Sequence, residues 1–233
     1  MRLGDARVLV TGGSSGIGRG IAELLIRRGA RVAICGRDER RLRETAAAIG
    51  ALPIRADVSD EADVERMVER VIAELGDYNV LVNNAGIGSW APLVETTAGE
   101  MRRVWETNVL GAMLVARASA RYFITRSRGD IINVASTAAH RGGAGGTSYT
   151  SSKFALRGMT ECWRAELRAH NIRVMLVSPS EVITDFFVRS GREQPDNPTK
   201  LHPEEIAHVV AAMLEMEDRG FVTEATVWAT NPR

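Results

Sequence analysis

Short runs rich in β-branched residues recur along this chain at residues 7–11, 31–35, 53–56, 80–83, 130–135 and 172–177. They alternate with stretches whose apolar positions repeat at helical spacing. Residues 17–28 place Ile21, Leu24 and Leu25 on one side, and residues 60–75 carry Val64, Met67, Val68, Val71 and Ile72 after Ser59, which reads as the cap. Two longer helical stretches cover 100–125 and 148–170, and 221–229 reads as a last strand. Continuous apolar runs suit strands buried on both faces. Repeated β-α-β units predict an α/β fold, a doubly wound parallel sheet with helices on both sides. No linker, repeat or low-complexity segment interrupts it, so residues 1–233 read as one domain. Residues 190–198 are polar and contain proline, and read as a mobile surface loop.

Composition narrows the classes. Thirty Lys and Arg balance 29 Asp and Glu, which gives no global charge for nucleic acid or an anionic membrane. Apolar runs such as residues 112–116 fall far short of a bilayer span of ~20 residues. The first five residues lead straight into a strand, so a secretory leader is not expected. Cys35 and Cys162 lie far apart in no paired motif and read as small buried residues of a reducing, cytoplasmic compartment. His202 and His208 flank Glu204 and Glu205, but six residues along a helix turn the two rings to different faces, so no metal site is expected.

Two patterns carry chemistry. Residues 11–18, Thr-Gly-Gly-Ser-Ser-Gly-Ile-Gly, follow the first strand and open a helix. Glycines there allow a tight turn and close approach to a pyrophosphate, and the helix N-terminus offers N–H groups and partial positive charge. Gly13 to Gly18 also has the spacing of a nucleoside-triphosphate loop, but Arg19 and Gly20 stand where the phosphate lysine and magnesium hydroxyl belong. Triphosphate hydrolysis is thereby excluded. The second pattern is Tyr149-x3-Lys153, with Ser136 thirteen residues upstream. Four residues on a helix put phenol and ammonium one turn apart, and a nearby ammonium favours the phenolate. A tuned tyrosine is a candidate acid/base for a carbonyl or alcohol.

Taken together, Thr11-Gly12-x3-Gly16-x-Gly18, Asp57-Val58, Asn83-Asn84-Ala85-Gly86, Asn108, Ser136, Tyr149-x3-Lys153 and Pro179-x2-Val182-x-Thr184 resemble the short-chain dehydrogenase/reductase family in its compact branch. The resemblance runs from about Val8 to Ala229 and implies a Rossmann-like sheet of seven strands and a nicotinamide cofactor. It assigns Asn108, Ser136, Tyr149 and Lys153 to catalysis: Ser136 holds the carbonyl oxygen, Tyr149 exchanges the proton, Lys153 tunes the phenol and reaches the ribose, and Asn108 holds a water. It assigns Gly12, Ser14, Ser15, Gly16, Ile17 and Gly18 to the pyrophosphate, Asp57 and Val58 to the adenine, Asn84, Ala85 and Gly86 to backbone contact, and Pro179, Val182 and Thr184 to the carboxamide.

Where an acid would meet the ribose hydroxyls, the second strand ends in Gly36 and then Arg37. A guanidinium can fork onto a phosphate, which favours NADP(H) over NAD(H), with Asp38 and Glu39 as competitors for its charge. Ser180 replaces a common glycine after Pro179, and Asn79 an aspartate before the fourth strand. The pocket is expected between Ser89-Trp90, residues 137–146, Ser180-Glu181 and a lid around 184–203 that begins with Phe186 and Phe187. Gly142, Gly143, Gly145 and Gly146 would leave its entrance open.

Three readings stay open: an NADP(H)-dependent reductase of free ketones or oxidant of secondary alcohols, a 3-oxoacyl-(acyl-carrier-protein) reductase, and a dinucleotide-binding sensor without turnover. Arg102, Arg103, Arg117, Arg121, Arg126 and Arg128 would form the docking patch for a carrier. A homo-oligomer, dimer or tetramer, is expected, with Trp105 and Trp163 on exposed faces of the long helices.

Overall fold

The computed structural model describes residues 1–191 and 199–231. Seven strands form one all-parallel sheet in the order β3-β2-β1-β4-β5-β6-β7. They are β1 (Arg7–Thr11), β2 (Arg31–Gly36), β3 (Leu52–Arg55), β4 (Val80–Asn83), β5 (Gly129–Val134), β6 (Ile172–Pro179) and β7 (Glu224–Val227). The helices are α1 (Gly16–Arg27), α2 (Glu39–Ile49), α3 (Glu61–Leu75), α4 (Ala98–Trp105), α5 (Ala112–Arg126), α6 (Thr147–Leu167), α7 (Phe186–Arg189) and α8 (Pro203–Glu215).

Side chains alternate across each strand, and both faces are buried. Val8 and Val10 enter one core with Ile21 and Leu25 of α1 and Val210 and Leu214 of α8. Leu9 between them enters the other, with Met67 and Val71 of α3 and Leu114 and Val115 of α5. This period of two explains why the strands read as unbroken apolar runs. Each fully buried Val or Leu contributes about 1.5–3 kcal/mol, so the two cores fix the register of β1 more firmly than strand propensity does.

The elements depart from the sequence pattern in four places. The cap of α3 is Asp60, whose carboxylate accepts from Asp63 N–H at 2.8 Å; Ser59 instead donates to Asp57. The stretch 100–125 is not one helix, because Glu106–Gly111 widens into a π turn between α4 and α5. Helices α2 and α8 add to those the apolar spacing predicted. The last strand is shorter, Glu224–Val227. Cys35 is buried in the sheet as expected, but Cys162 is exposed on α6. Trp163 packs partly against the core, while Trp105 is exposed and donates to Ser151 Oγ at 3.1 Å. No helix among the described residues is long and apolar enough to cross a membrane.

Two tethers matter for the site. Val182 and Leu201 form a parallel bridge, with Ile183 N–H donating to the Leu201 carbonyl at 2.7 Å, and Lys200 pairs with Glu181 beside it. Strand β1 lies between β2 and β4, so the chain's direction of winding reverses there. Open parallel sheets bind ligands at such a reversal, outside the carboxyl ends of the strands.

Candidate active site

Thr11 closes β1 and ties the two loops that flank the reversal. Its hydroxyl accepts from the N–H groups of Asn84 and Ala85, each at 2.9 Å, and the Asn84 amide donates to the Thr11 carbonyl at 2.9 Å. The glycine loop is wrapped tightly against this knot. Gly12 and Gly16 sit at φ of 64° and 53°, and a Cβ on Gly18 would lie 2.6 Å from the Gly12 carbonyl oxygen. Side chains are thus kept out of the loop where Ser15, Gly16 and Ile17 bring the N-terminus of α1 to the edge of a cleft. The cleft has a volume of about 560 Å³, within the usual range for a ligand site. Every candidate residue except Gly18 and Asn108 lines it. Gly18 lies behind the loop, and Asn108 behind the catalytic end.

At one end stand Arg37, Asp57 and Val58. Arg37 is 63% exposed, and its guanidinium faces Asp57 at 3.6 Å. Asp57 also accepts from Ser59 N–H at 3.0 Å and from its hydroxyl at 2.7 Å. Burial would raise this carboxyl, but the Ser59 bonds and Arg37 outweigh it and hold it below the usual range. The competitors expected for Arg37 are engaged elsewhere: Asp38 caps α2 through Arg41 N–H at 3.0 Å, and Glu39 pairs with Arg43 at 2.7 Å.

At the other end, Ser136 follows β5 and its hydroxyl accepts from Ala138 N–H at 3.1 Å. Tyr149 and Lys153 sit on the first turns of α6, with the ammonium 5.6 Å from the phenol ring centroid. Lys153 is 5% exposed and donates to the Val134 carbonyl at 3.1 Å. Burial pushes the Tyr149 phenol up to about 12, with Ser136 pulling the other way. Burial also draws the Lys153 ammonium down to about 8. In this geometry the Lys153 amine is turned to the Val134 carbonyl, and desolvation is the largest cause of both shifts.

Asn108 sits in the π turn. Its Oδ1 accepts from Ile87 N–H at 2.8 Å, and its Nδ2 donates to the Ile87 carbonyl at 2.9 Å and to Ser152 Oγ at 3.0 Å. Through these bonds the amide joins the loop after β4 to α6.

The chain matches the model of the family described as short chain dehydrogenase over residues 6–195. It belongs to that family. Among curated relatives, the 3-oxoacyl-[acyl-carrier-protein] reductase of Bos taurus is 39% identical over 184 residues, 78% of each chain. An alcohol dehydrogenase from the archaeon Thermococcus sibiricus, solved with 5-hydroxy-NADP, superposes with a TM-score of 0.86 at 27% identity, covering 97% of both chains. A 3-ketoacyl-(acyl-carrier-protein) reductase from Brucella melitensis, solved with NADH, superposes with a TM-score of 0.88 at 28% identity, covering 96% of both.

As a short-chain dehydrogenase the chain is an oxidoreductase that uses a nicotinamide dinucleotide, which sets aside the sensor without turnover. The cleft suits such a group. Its glycine cradle has no room for a Cβ at Gly18, and Arg41, on the first turns of α2, also lines it. The Nε of Arg41 is buried without a partner among the described residues. Nothing in the sequence singles out Arg41 from its neighbours Arg40 and Arg43.

The substrate wall differs from expectation. Trp90, Thr137, Ser180, Glu181, Phe186 and Phe187 line the cleft, together with Gly88. Ser89 turns inward and donates to Glu100 at 3.2 Å, and residues 138–146 stay outside the lining. Gly145 instead meets the loop before α4, where its carbonyl accepts from Ala91 N–H at 2.9 Å, while Gly142 and Gly143 are exposed. Of the expected lid, residues 192–198 lie outside the described residues.

Proposed function

We propose that this short-chain dehydrogenase is an NADP(H)-dependent oxidoreductase acting between a ketone and a secondary alcohol, with Tyr149 as acid/base. The observation that carries the reading is the placement of Ser136, Tyr149 and Lys153 at one end of the cleft whose middle is built from the glycine loop.

The residues divide by position. Gly12, Ser14, Ser15, Gly16, Ile17 and Gly18 shape the pyrophosphate cradle, and Asp57 and Val58 the adenine end. Asn84, Ala85 and Gly86 supply close backbone, and Pro179, Val182 and Thr184 the carboxamide end. Arg37 and Arg41 offer two guanidinium groups to a 2′-phosphate, where NAD(H) would want an acid. The bound nicotinamide supplies or accepts the hydride.

Ser136 orients the substrate oxygen. Tyr149 is a protonated phenol at neutral pH, since burial holds it near 12. That is the form a donor to a developing alkoxide requires. Lys153 supplies the cation that stabilises the phenolate left behind and reaches the ribose hydroxyls.

Carrier-linked 3-oxoacyl groups form a second reading, favoured by the likeness to the bovine reductase and by Arg103 on the cleft wall. The wider basic patch does not strengthen it. Arg117 pairs with Glu61, Arg121 with Glu65 at 3.1 Å, and Arg128 with Asp77 at 3.5 Å, so α3 and the loop after it neutralise half of the patch. A homo-oligomer through the α4–α6 face, where Trp105, Leu110 and Phe154 are exposed, belongs to the same reading and is tested by sedimentation.

NADPH oxidation over a panel of ketones and 3-oxoacyl thioesters, with wild type beside Tyr149→Phe, tests the proposal. Turnover lost in the variant supports it; turnover that survives removes Tyr149 as the proton donor. A thioester preferred only on its carrier and only at low salt would favour the second reading.

A further inference from the structure

Four aromatic rings meet over the proposed proton donor. The Trp90 indole lies 5.1 Å from the Tyr149 ring, tilted by 40°. Phe186 stands edge-on to Trp90 at 5.9 Å and lies 5.7 Å from Tyr149. Phe187 tilts against Trp90 at 5.7 Å and meets Phe186 edge-on at 5.8 Å. The rings come from three separate places: the loop after β4, the start of α6, and α7. Their meeting is a product of the fold and not of local sequence.

The backbone makes room for it. A Cβ on Gly88 would fall on the six-membered ring of the Trp90 indole and 2.8 Å from Ser190 Oγ. Ser190 in turn donates to the Phe186 carbonyl at 2.7 Å, which holds α7 in its place beside the indole. Only glycine at position 88 lets the indole lie this close to the main chain.

We propose that Trp90 is the specificity-determining residue of this enzyme, and that the site takes ketones whose carbonyl is attached directly to a flat aromatic ring. The inference rests on the reductase reading above. A carbonyl that reaches the Tyr149 hydroxyl must bring its substituent among these rings and displace some of their mutual contacts. A flat ring restores stacked and edge-on contacts, each worth up to about tenfold in affinity, whereas an alkyl chain restores only area. Trp90 and Phe186 each touch the other three rings; Trp90 presents the larger face and lies nearer to Tyr149, 5.1 Å against 5.7 Å, so it carries the discrimination.

The test uses three ketones of equal carbon count: acetophenone, cyclohexyl methyl ketone and 2-octanone. Each is assayed with NADPH against wild type, Trp90→Leu, Trp90→Phe and Gly88→Ala, after thermal melts establish that each variant is folded. Intrinsic ketone reactivity cancels when ratios are compared between variants. Wild type is expected to show an acetophenone to cyclohexyl ketone ratio in kcat/KM about tenfold above that of Trp90→Leu, expressed mainly in KM. Trp90→Phe keeps most of the preference. Gly88→Ala, which displaces the indole without deleting it, loses most of it. A ratio that moves by less than about twofold in both Trp90→Leu and Gly88→Ala, or a wild-type preference for 2-octanone, overturns the proposal. Should no ketone be reduced, calorimetric binding of 1-phenylethanol against 1-cyclohexylethanol decides separately. A preference for the aryl alcohol that depends on Trp90 would support the aromatic site while removing the reductase reading, and equal binding would overturn the proposal.

Discussion

The Asn108 amide donates to the Ser152 hydroxyl at 3.0 Å, and Ser152 donates in turn to the Tyr149 carbonyl at 2.6 Å. A residue in a π turn is thereby coupled to the backbone of the proposed proton donor and to the residue next to Lys153. Asn108→Ala would remove the side-chain partner of both backbone groups of Ile87 and one of the two bonds of the Ser152 hydroxyl. Each buried unpaired group costs about 1–3 kcal/mol, so a loss of about 2–4 kcal/mol is expected in urea unfolding. Because the first turn of α6 loosens with it, kcat should fall by about 10–100-fold, with KM for NADPH changing less.

Lys153 makes stability depend on pH in a specific window. Its amine releases a proton near 8 in the folded chain and near ~10.4 in the unfolded one. Between those values the unfolded chain binds more protons, so the contribution of this group to stability rises with pH. Lys153→Met removes the dependence. Unfolding free energies measured from pH 8 to 10 should rise in wild type relative to the variant. A constant difference across the window would show that the amine is solvated. Above pH 10 the raised Tyr149 phenol works in the opposite direction, because there the folded chain holds the extra proton.

Arg37 faces Asp57 at 3.6 Å and is largely exposed, so little packing is lost on truncation. Arg37→Ala should raise KM for NADPH by roughly 10–100-fold, the worth of a charge-assisted bond, and leave KM for NADH within about twofold. Equal effects on both cofactors would assign Arg37 to the adenine or the pyrophosphate instead. Arg41→Ala should show the same selectivity if the two guanidinium groups share one phosphate.

A buried ion pair far from the cleft offers a stability test. Arg173 on β6 forks onto Asp130 on β5 and donates to the carbonyls of Leu214 at 3.2 Å and Met216 at 3.1 Å, at the end of α8. Burial keeps the Asp130 carboxyl above its ordinary range even beside Arg173. Arg173→Met leaves that carboxylate unpaired and should cost about 3–5 kcal/mol. The penalty should shrink on acidification, since the folded carboxyl then binds a proton that the unfolded one, with its lower pKa, still gives up. Chemical unfolding at pH 7 and pH 5 measures both effects.

The strands were legible because residues such as Val8, Leu9 and Val10 are buried on both faces, and a continuous apolar run has few other uses. Helices α2 and α8 were not reached through apolar spacing, yet their ends were marked: Asp38 and Gly50 around α2, and Pro203 with Glu204 and Glu205 at the start of α8. The π turn had no local signature. It follows from Asn108 bonding to Ile87, a contact across 21 residues. The same holds at the site. Tyr149-x3-Lys153 could be read from helical geometry, whereas the turning of Lys153 toward Val134 depends on the packing of α6 against β5. Gly142 and Gly143 are exposed, but glycine spacing does not say that Gly145 will bond to Ala91 and hold the segment outside the cleft lining.

The Val182–Leu201 bridge and the Glu181–Lys200 pair clasp the two ends of the stretch expected to form the lid. A clasped stem separates inheritance of the two halves of the enzyme. Everything between Thr184 and Lys200 can lengthen, shorten or be exchanged with a relative while the cofactor cradle keeps its frame, and each doubling of such a loop costs only about 0.6 kcal/mol in closure entropy. A change of substrate would then combine this cassette with Trp90, which lies outside it on the loop after β4, with the redox machinery passed on unaltered.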